Sequence, residues 1–322
     1  VGCGRAARIH LERILTLEGV RIVGCADLQP EAAEALAEVI PTSHAEGRVP
    51  VFPHHRELLG QAALDAVAIF TPHRSHYQVA MDALQAGCHV FVEKPLSTNA
   101  QEASDIVALA RGRNRKVGVG HQYRLCPSLI EARRRILDGV IGPPHLVAAT
   151  LSAPWLAAHT GAADAWRYEP KLGGGILADI GDHLLDALLW TMRQPAQEVA
   201  AFQTRHPSGL DLVTAAALRL GDGTPATLGL SALSPSSQFE LVYYGETATL
   251  RATDQSLVES RSNGEVYPVT LPPPTETIDG NFLTAVTTDG SLCCPADQAL
   301  DTVRLIEAIT RSASTNQLVR LA

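Results

Sequence analysis

The strongest constraint in this sequence is a strict alternation of strand-type and helix-type segments over roughly its first 120 residues. Ala7, Leu11, Ile14 and Leu15 share one helical face that Gly19 closes. Val20–Ala26 reads as a strand ended by Asp27, and Pro30 opens a helix to Val39 at the first-turn position proline favours. A short strand at Val49–Phe52, a brief helix at Glu57–Gln61 and a buried-type strand at Asp65–Phe70 follow. The series continues with a helix at Tyr77–Gln85, a strand at His89–Val92, a helix from the capping signal Thr98-x-x-Gln101 to about Arg111, and a strand at Val117–Gly120. Strands joined through helices run parallel, and a parallel sheet is covered on both faces. The pattern predicts a doubly wound α/β domain over residues 1–122.

Beyond about residue 140 the period changes. A strand at His145–Ser152 and a polar loop lead to a long helix, Ile176–Met192. Period-two segments then dominate: Val199–Thr204, Leu212–Leu220, Ala226–Ser231, Phe239–Tyr244 and Ala248–Ala252, with Asp222-Gly223 as a hairpin signal. A helix over 296–312 closes the chain. This predicts a second, α+β domain over 123–322, built on a largely antiparallel open sheet.

The 322 residues leave room for both domains. A formal charge of −8 offers no basic field to nucleic acid or an anionic membrane. No apolar run approaches the ~18 residues a membrane span needs, and no export-type leader is visible, so the sequence reads as cytoplasmic. Six cysteines without a C-x-x-C pair read as reduced, mostly buried thiols. A glycine turn of the kind that starts at Gly2 normally follows a strand of about five residues, so the sequence is expected to continue upstream of Val1.

Four motifs carry chemistry. Gly2-Cys3-Gly4-Arg5-Ala6-Ala7 is a GxGxxA turn. Its first glycine permits the turn, its second lets backbone approach a pyrophosphate, and the anion sits at the helix start. Asp27 ends the next strand about 20 residues on, where a carboxylate takes ribose hydroxyls and repels a 2′-phosphate, so NAD is expected over NADP. Thr71-Pro72-His73-x-x-His76 follows a parallel strand, at the sheet edge where ligands bind. Without a carboxylate or cysteine cluster its two histidines are read as cofactor contacts or helix caps, and no metal is expected. Glu93-Lys94-Pro95 ends the next strand; a lysine beside a nicotinamide is tuned toward proton transfer. The fourth motif runs from Gly173 to His183. Its glycines allow close backbone approach, and Asp179 and His183 are spaced i, i+4, an acid–imidazole pair suited to general-base work. Asp186 and Trp190 continue the same stripe, and a solvated face is the alternative reading for Asp182 and Asp186.

In this order and spacing the motifs resemble the Gfo/Idh/MocA oxidoreductases, the group that includes inositol dehydrogenase and glucose–fructose oxidoreductase. The tail residues Asn281-Phe282, Pro295-Ala296 and Ser312 extend the resemblance. It implies an N-terminal Rossmann domain binding NAD through Gly2, Gly4, Arg5, Ala6, Asp27, Thr71, Pro72, His76, Glu93, Lys94 and Gln122. It implies Lys94, Asp179 and His183 as the catalytic set, with Tyr123, Trp166 and Arg167 at the substrate. His121 is less usual at the domain crossover. The implied activity is hydride transfer between NAD and a hydroxyl-bearing carbon of a sugar, polyol or cyclitol, in a homodimer or homotetramer formed through the C-terminal sheet. The alternatives are a glycoside-cleaving or eliminating enzyme that uses bound NAD, and a non-catalytic dinucleotide-sensing regulator.

Overall fold

The computed structural model describes residues 1–61, 63–158 and 166–321. By its internal contacts the chain forms two units: Val1–Gly120 with Glu276–Gln298, and His121–Thr275 with the residues from Ala299 onward. In the first unit the punctuation read from the sequence sets the elements. After the glycine turn come α1 (Arg5–Ile14), β1 (Cys25–Ala26), α2 (Pro30–Ala37), β2 (Val51–Phe52), α3 (His55–Gln61), β3 (Ala66–Ile69), α4 (His76–Gln85), β4 (His89–Val92), α5 (Ala100–Gly112) and β5 (Val117–Val119). Pro30 does start α2, as its fixed φ favours. The cap of α5 is Asn99, not Thr98: its side chain accepts the Glu102 N–H at 2.9 Å.

The named strands of this unit pair in parallel, with one isolated antiparallel bridge between Gly118 and Pro295, and the sheet has two parts: β1 with β2, and β3-β4-β5. The strand expected at Val20–Ala26 pairs only over Cys25–Ala26. Val1 bridges the parts. Its amino nitrogen donates to Ala68 O (2.7 Å) and its carbonyl accepts from Phe70 N (2.8 Å), while Gly2 N donates to Ala26 O (2.9 Å). Beside this bridge runs a largely apolar groove of about 730 Å³, lined by Ile22, Val67, Phe91 and Phe282 among others.

The second unit opens with α6 (Pro127–Leu137), which periodicity had not singled out. It continues through β6 (Pro144–Ser152), α7 (Trp155–Ala158), α8 (Asp182–Met192), β7 (Ala196–Arg205), β8 (Asp211–Leu220), β9 (Pro225–Ser231), β10 (Gln238–Gly245), β11 (Ala248–Ala252), β12 (Leu257–Arg261) and β13 (Val266–Pro268). The chain then forms α9 (Ile278–Thr288), α10 (Ala296–Thr315) and β14 (Val319–Arg320). Nine strands form one sheet in the order β13-β12-β11-β10-β6-β9-β8-β7-β14, antiparallel throughout except for β6 with β9. Alternation explains which face is covered. Along β8, Leu212, Thr214, Ala216, Leu218 and Leu220 are buried, whereas Ala215, Ala217 and Arg219 are exposed. The buried face packs against α6 and α8, with Leu129, Leu184, Leu185, Leu188 and Tyr243 in the core.

A boundary at residue 122 is therefore incomplete. Residues 276–298 belong with the first unit, where α9 packs on α1 and Phe282 lies 5.6 Å from Phe91 by ring centroids. Val119 N also donates to Cys294 O at 3.0 Å. The six cysteines form no disulfide. No helix among the described residues is long and apolar enough to cross a membrane.

Candidate active site

In the first unit, Gly2 adopts φ +78°, and a Cβ there would lie 2.7 Å from Phe70 C and Thr71 N. Only glycine allows the turn to press against the end of β3 in this way. At Gly4 nothing stands within 4 Å of where a Cβ would project, so backbone there faces open space. Gly4 caps α1 without a side-chain acceptor, and no acidic residue occupies the first turn that begins with Arg5 and Ala6. The helix start thus keeps its N–H groups and dipole for an anion. Asp27 closes the cradle: Oδ2 accepts Cys3 N–H at 2.7 Å and Oδ1 accepts Gln29 N–H at 2.9 Å. Thr71 Oγ1 is buried without a hydrogen-bond partner. An open glycine turn, a carboxylate and an orphaned hydroxyl fit a dinucleotide.

His76 does something different from the cofactor contact expected of it. It is fully buried; Nδ1 lies 2.7 Å from Pro95 O and Nε2 lies 2.9 Å from Thr71 O. The ring ties the end of β3 to the loop after β4, so its effect on a ligand passes through Thr71 and Pro95. Burial pulls its pKa below the ordinary histidine value. Pro72 leads into a single 3-10 turn, His73–Ser75. Lys94 is half-buried just after β4, its peptide to Pro95 is cis, and its N–H donates to Glu93 Oε2 at 3.0 Å.

In the second unit the three glycines approach their own chain. Gly175 N and Gly174 N donate to Arg167 O and Glu169 O, each at 3.2 Å. Gly175 has φ +114°, and a Cβ there would come within 2.1 Å of Asp211 Oδ1. Asp211 Oδ2 in turn accepts Leu177 N–H at 2.8 Å, and burial raises the Asp211 pKa. The helix expected from Ile176 begins with a π turn, Leu177–Gly181, in which Gly181 N donates to Ile176 O at 2.8 Å. An i, i+4 alignment presumes 3.6 residues per turn, so it does not carry across this segment. Asp179, 4% exposed, directs Oδ2 at Trp155 Nε1 (2.8 Å) and Arg167 Nε (3.1 Å). The Arg167 guanidinium also lies over the Trp166 ring, 4.4 Å from its centroid. Trp166 and Arg167 thus reach Asp179, but the preceding part of the loop lies outside the described residues.

His183, buried on the first turn of α8, meets the Tyr123 ring edge-on at 5.0 Å. Tyr123 stacks on Phe239 at 4.5 Å, and burial pushes its pKa up to about 12. Gln122 and Tyr123 open a 3-10 turn that ends at Leu125. Asp182 and Asp186 are not solvated; they are 0% and 1% exposed. His121 Nε2 contacts Asp182 Oδ1, and Nδ1 lies 3.2 Å from Asp186 Oδ1. Arg124 grips Asp186 with two bonds, of 2.9 and 2.6 Å. Burial works to raise the Asp186 pKa, but Arg124, His121 and His183 together hold it below the usual value. Sequence reasoning missed this network, together with Trp155 and Asp211. Its available signals were Asp186 on the stripe that continues Asp179 and His183, and Asp182 and Asp186 on one helical face with Leu189.

Residues 1–121 match a family model described as an oxidoreductase family with an NAD-binding Rossmann fold, and residues 129–251 match the GFO/IDH/MocA C-terminal domain. Among curated proteins, D-glucoside 3-dehydrogenase of Escherichia coli is 28% identical over 61% of this chain. Inositol 2-dehydrogenase 1 of Saccharopolyspora erythraea is 31% identical over 69%. The matched stretches span 54% and 60% of those two proteins. Among solved structures, aldose-aldose oxidoreductase from Caulobacter crescentus superposes with a TM-score of 0.84 at 23% identity, over 98% of this chain and 96% of that one.

Proposed function

The chain belongs to the GFO/IDH/MocA family of oxidoreductases, and from that premise we propose that it is an NAD-dependent dehydrogenase acting on a hydroxyl-bearing carbon of a sugar, polyol or cyclitol. The observation that carries this reading is the turn at Gly2–Gly4, open toward solvent at Gly4 and closed from behind by Asp27. The N–H groups at the start of α1 bind pyrophosphate there. Asp27 keeps a second lone pair on each carboxylate oxygen for ribose hydroxyls. Its partners are two neutral main-chain N–H groups, so its negative charge stands against a 2′-phosphate and favours NAD over NADP.

A nicotinamide dinucleotide held by Gly2, Gly4 and Asp27 would supply the hydride acceptor for the carbinol carbon. Lys94 donates a hydrogen bond to the reacting oxygen and stabilises it as its proton leaves. His183 takes that proton on a ring nitrogen, and burial beside Tyr123 limits its exchange with water. Asp179 holds Arg167 for substrate hydroxyls, and the buried Asp186 carboxylate, which interacts with His183 through its charge, favours the resulting imidazolium. The names of the related glucoside and inositol dehydrogenases support the substrate class. The outward face of the nine-stranded sheet, with Ala215, Ala217 and the 73%-exposed Phe202, is the proposed contact between subunits of a homo-oligomer.

The test is a panel of sugars, polyols and inositols with NAD or NADP, read by NADH absorbance. NADH should accumulate with at least one compound, and Lys94→Ala should lower turnover by about 10²-fold or more. Full activity in that variant would remove Lys94 from the reaction. Glycoside cleavage without net NADH would replace dehydrogenation by an internal redox cycle.

A further inference from the structure

His10 has no part in the scheme above, yet it occupies an unusual position in the first unit. It lies on α1, two turns from the glycine motif, and is 2% exposed. Nδ1 is 2.6 Å from Asp279 Oδ1 on α9, and Nε2 is 2.7 Å from Glu93 Oε1 after β4. The other oxygen of Glu93 accepts the Lys94 main-chain N–H at 3.0 Å. One continuous chain of hydrogen bonds therefore runs from α9 through α1 to the peptide that carries Lys94. Phe70 stacks on the His10 ring at 4.7 Å and Phe91 tilts against it at 5.3 Å. Arg13 adds a positive charge 3.6 Å from Asp279 Oδ2.

We propose that His10 is a positioning residue for Lys94: bridging Asp279 and Glu93, it fixes the Glu93 carboxylate, and that carboxylate fixes the Lys94 main chain. This rests on the role proposed above for Lys94. Both ring nitrogens face carboxylate oxygens, which only accept when ionised, and a neutral imidazole has one N–H to offer. The imidazolium satisfies both contacts. Burial works against that charge, but the hydrogen bonds His10 donates to Asp279 and Glu93 outweigh it and raise the pKa to about 9. Deprotonation would break one of the two bonds. Loss of the Glu93 bond would leave the Lys94 peptide held by one fewer constraint, in a site where placement governs rate.

The decisive measurement uses the unliganded wild-type chain and involves no turnover. In an NMR titration His10 should carry two N–H protons at pH 7 and titrate near pH 9, with the Lys94 amide resonance moving at the same midpoint. A single N–H at pH 7, a midpoint below pH 7, or a Lys94 amide indifferent to His10 would overturn the proposal. In turnover, His10→Gln should lower kcat about tenfold with little change in KM for NAD, and should abolish an alkaline limb near pH 9 in the pH profile. An equal rise in KM for NAD with unchanged kcat would instead mean that His10 only supports the cofactor cradle. Should His10→Gln fail to fold, Glu93→Gln makes the same comparison while retaining the Asp279 contact. If Lys94→Ala is fully active but the Lys94 amide follows His10, the catalytic role of Lys94 falls and the positional coupling stands.

Discussion

At Asp27 the carboxylate that a ribose would meet already accepts two main-chain N–H groups, one from the turn and one from the segment leading into α2. Its charge and its geometry can therefore be separated. Asp27→Asn removes the charge and one of the two acceptors, so it should loosen NAD while lifting the repulsion of a 2′-phosphate. The expected result is a rise of about tenfold in the NADP-to-NAD ratio of kcat/KM, equivalent to ~1.4 kcal/mol. An unchanged ratio would mean that Asp27 serves the turn alone. Gly2, Gly4 and Asp27 were legible in the sequence because a glycine turn and a carboxylate at fixed spacing form a local pattern. His76 shows the limit of such reading: its type and place suggested a ligand contact, but the two carbonyls beside its ring nitrogens, Thr71 O and Pro95 O, lie on different strand ends.

Among elements, α5 and the segment before α8 make the contrast sharper. The start of α5 was nearly right from sequence, with the cap one residue later than the Thr98 signal implied. Asn99→Ala should cost about 1 kcal/mol and lower Tm, whereas Thr98→Ala, whose hydroxyl makes long 3.3 Å contacts with Glu102 Oε2 and the exposed Arg74 Nη1, should cost less. The reverse order in thermal unfolding would restore the sequence-based cap. The π turn at Leu177–Gly181 left no such signal. Its cause is tertiary: Asp211, some 34 residues on, holds Leu177 N–H, and the Trp166–Glu169 turn holds the glycines. Periodicity found the helix and its two chemical residues, but the direction in which Asp179 points depends on partners distant in sequence.

For the whole molecule, buried charge governs response to pH. Asp186 has its pKa depressed in the folded chain, so its stabilisation is complete above the unfolded value of 3.8 and is lost as pH falls through the folded value. His10 has the opposite sign: its contribution is complete below 6.5 and disappears as pH rises through about 9. Stability should therefore decline below about pH 4 and again between about pH 6.5 and 9. Arg124→Met would strand Asp186 in the interior and should cost about 3–5 kcal/mol in denaturant unfolding. A cost under 1 kcal/mol would mean that His121 alone suffices. The two-domain plan was visible from hydrophobic periods, but the return of residues 276–298 to the first unit was not, since α9 announces itself only through contacts with α1.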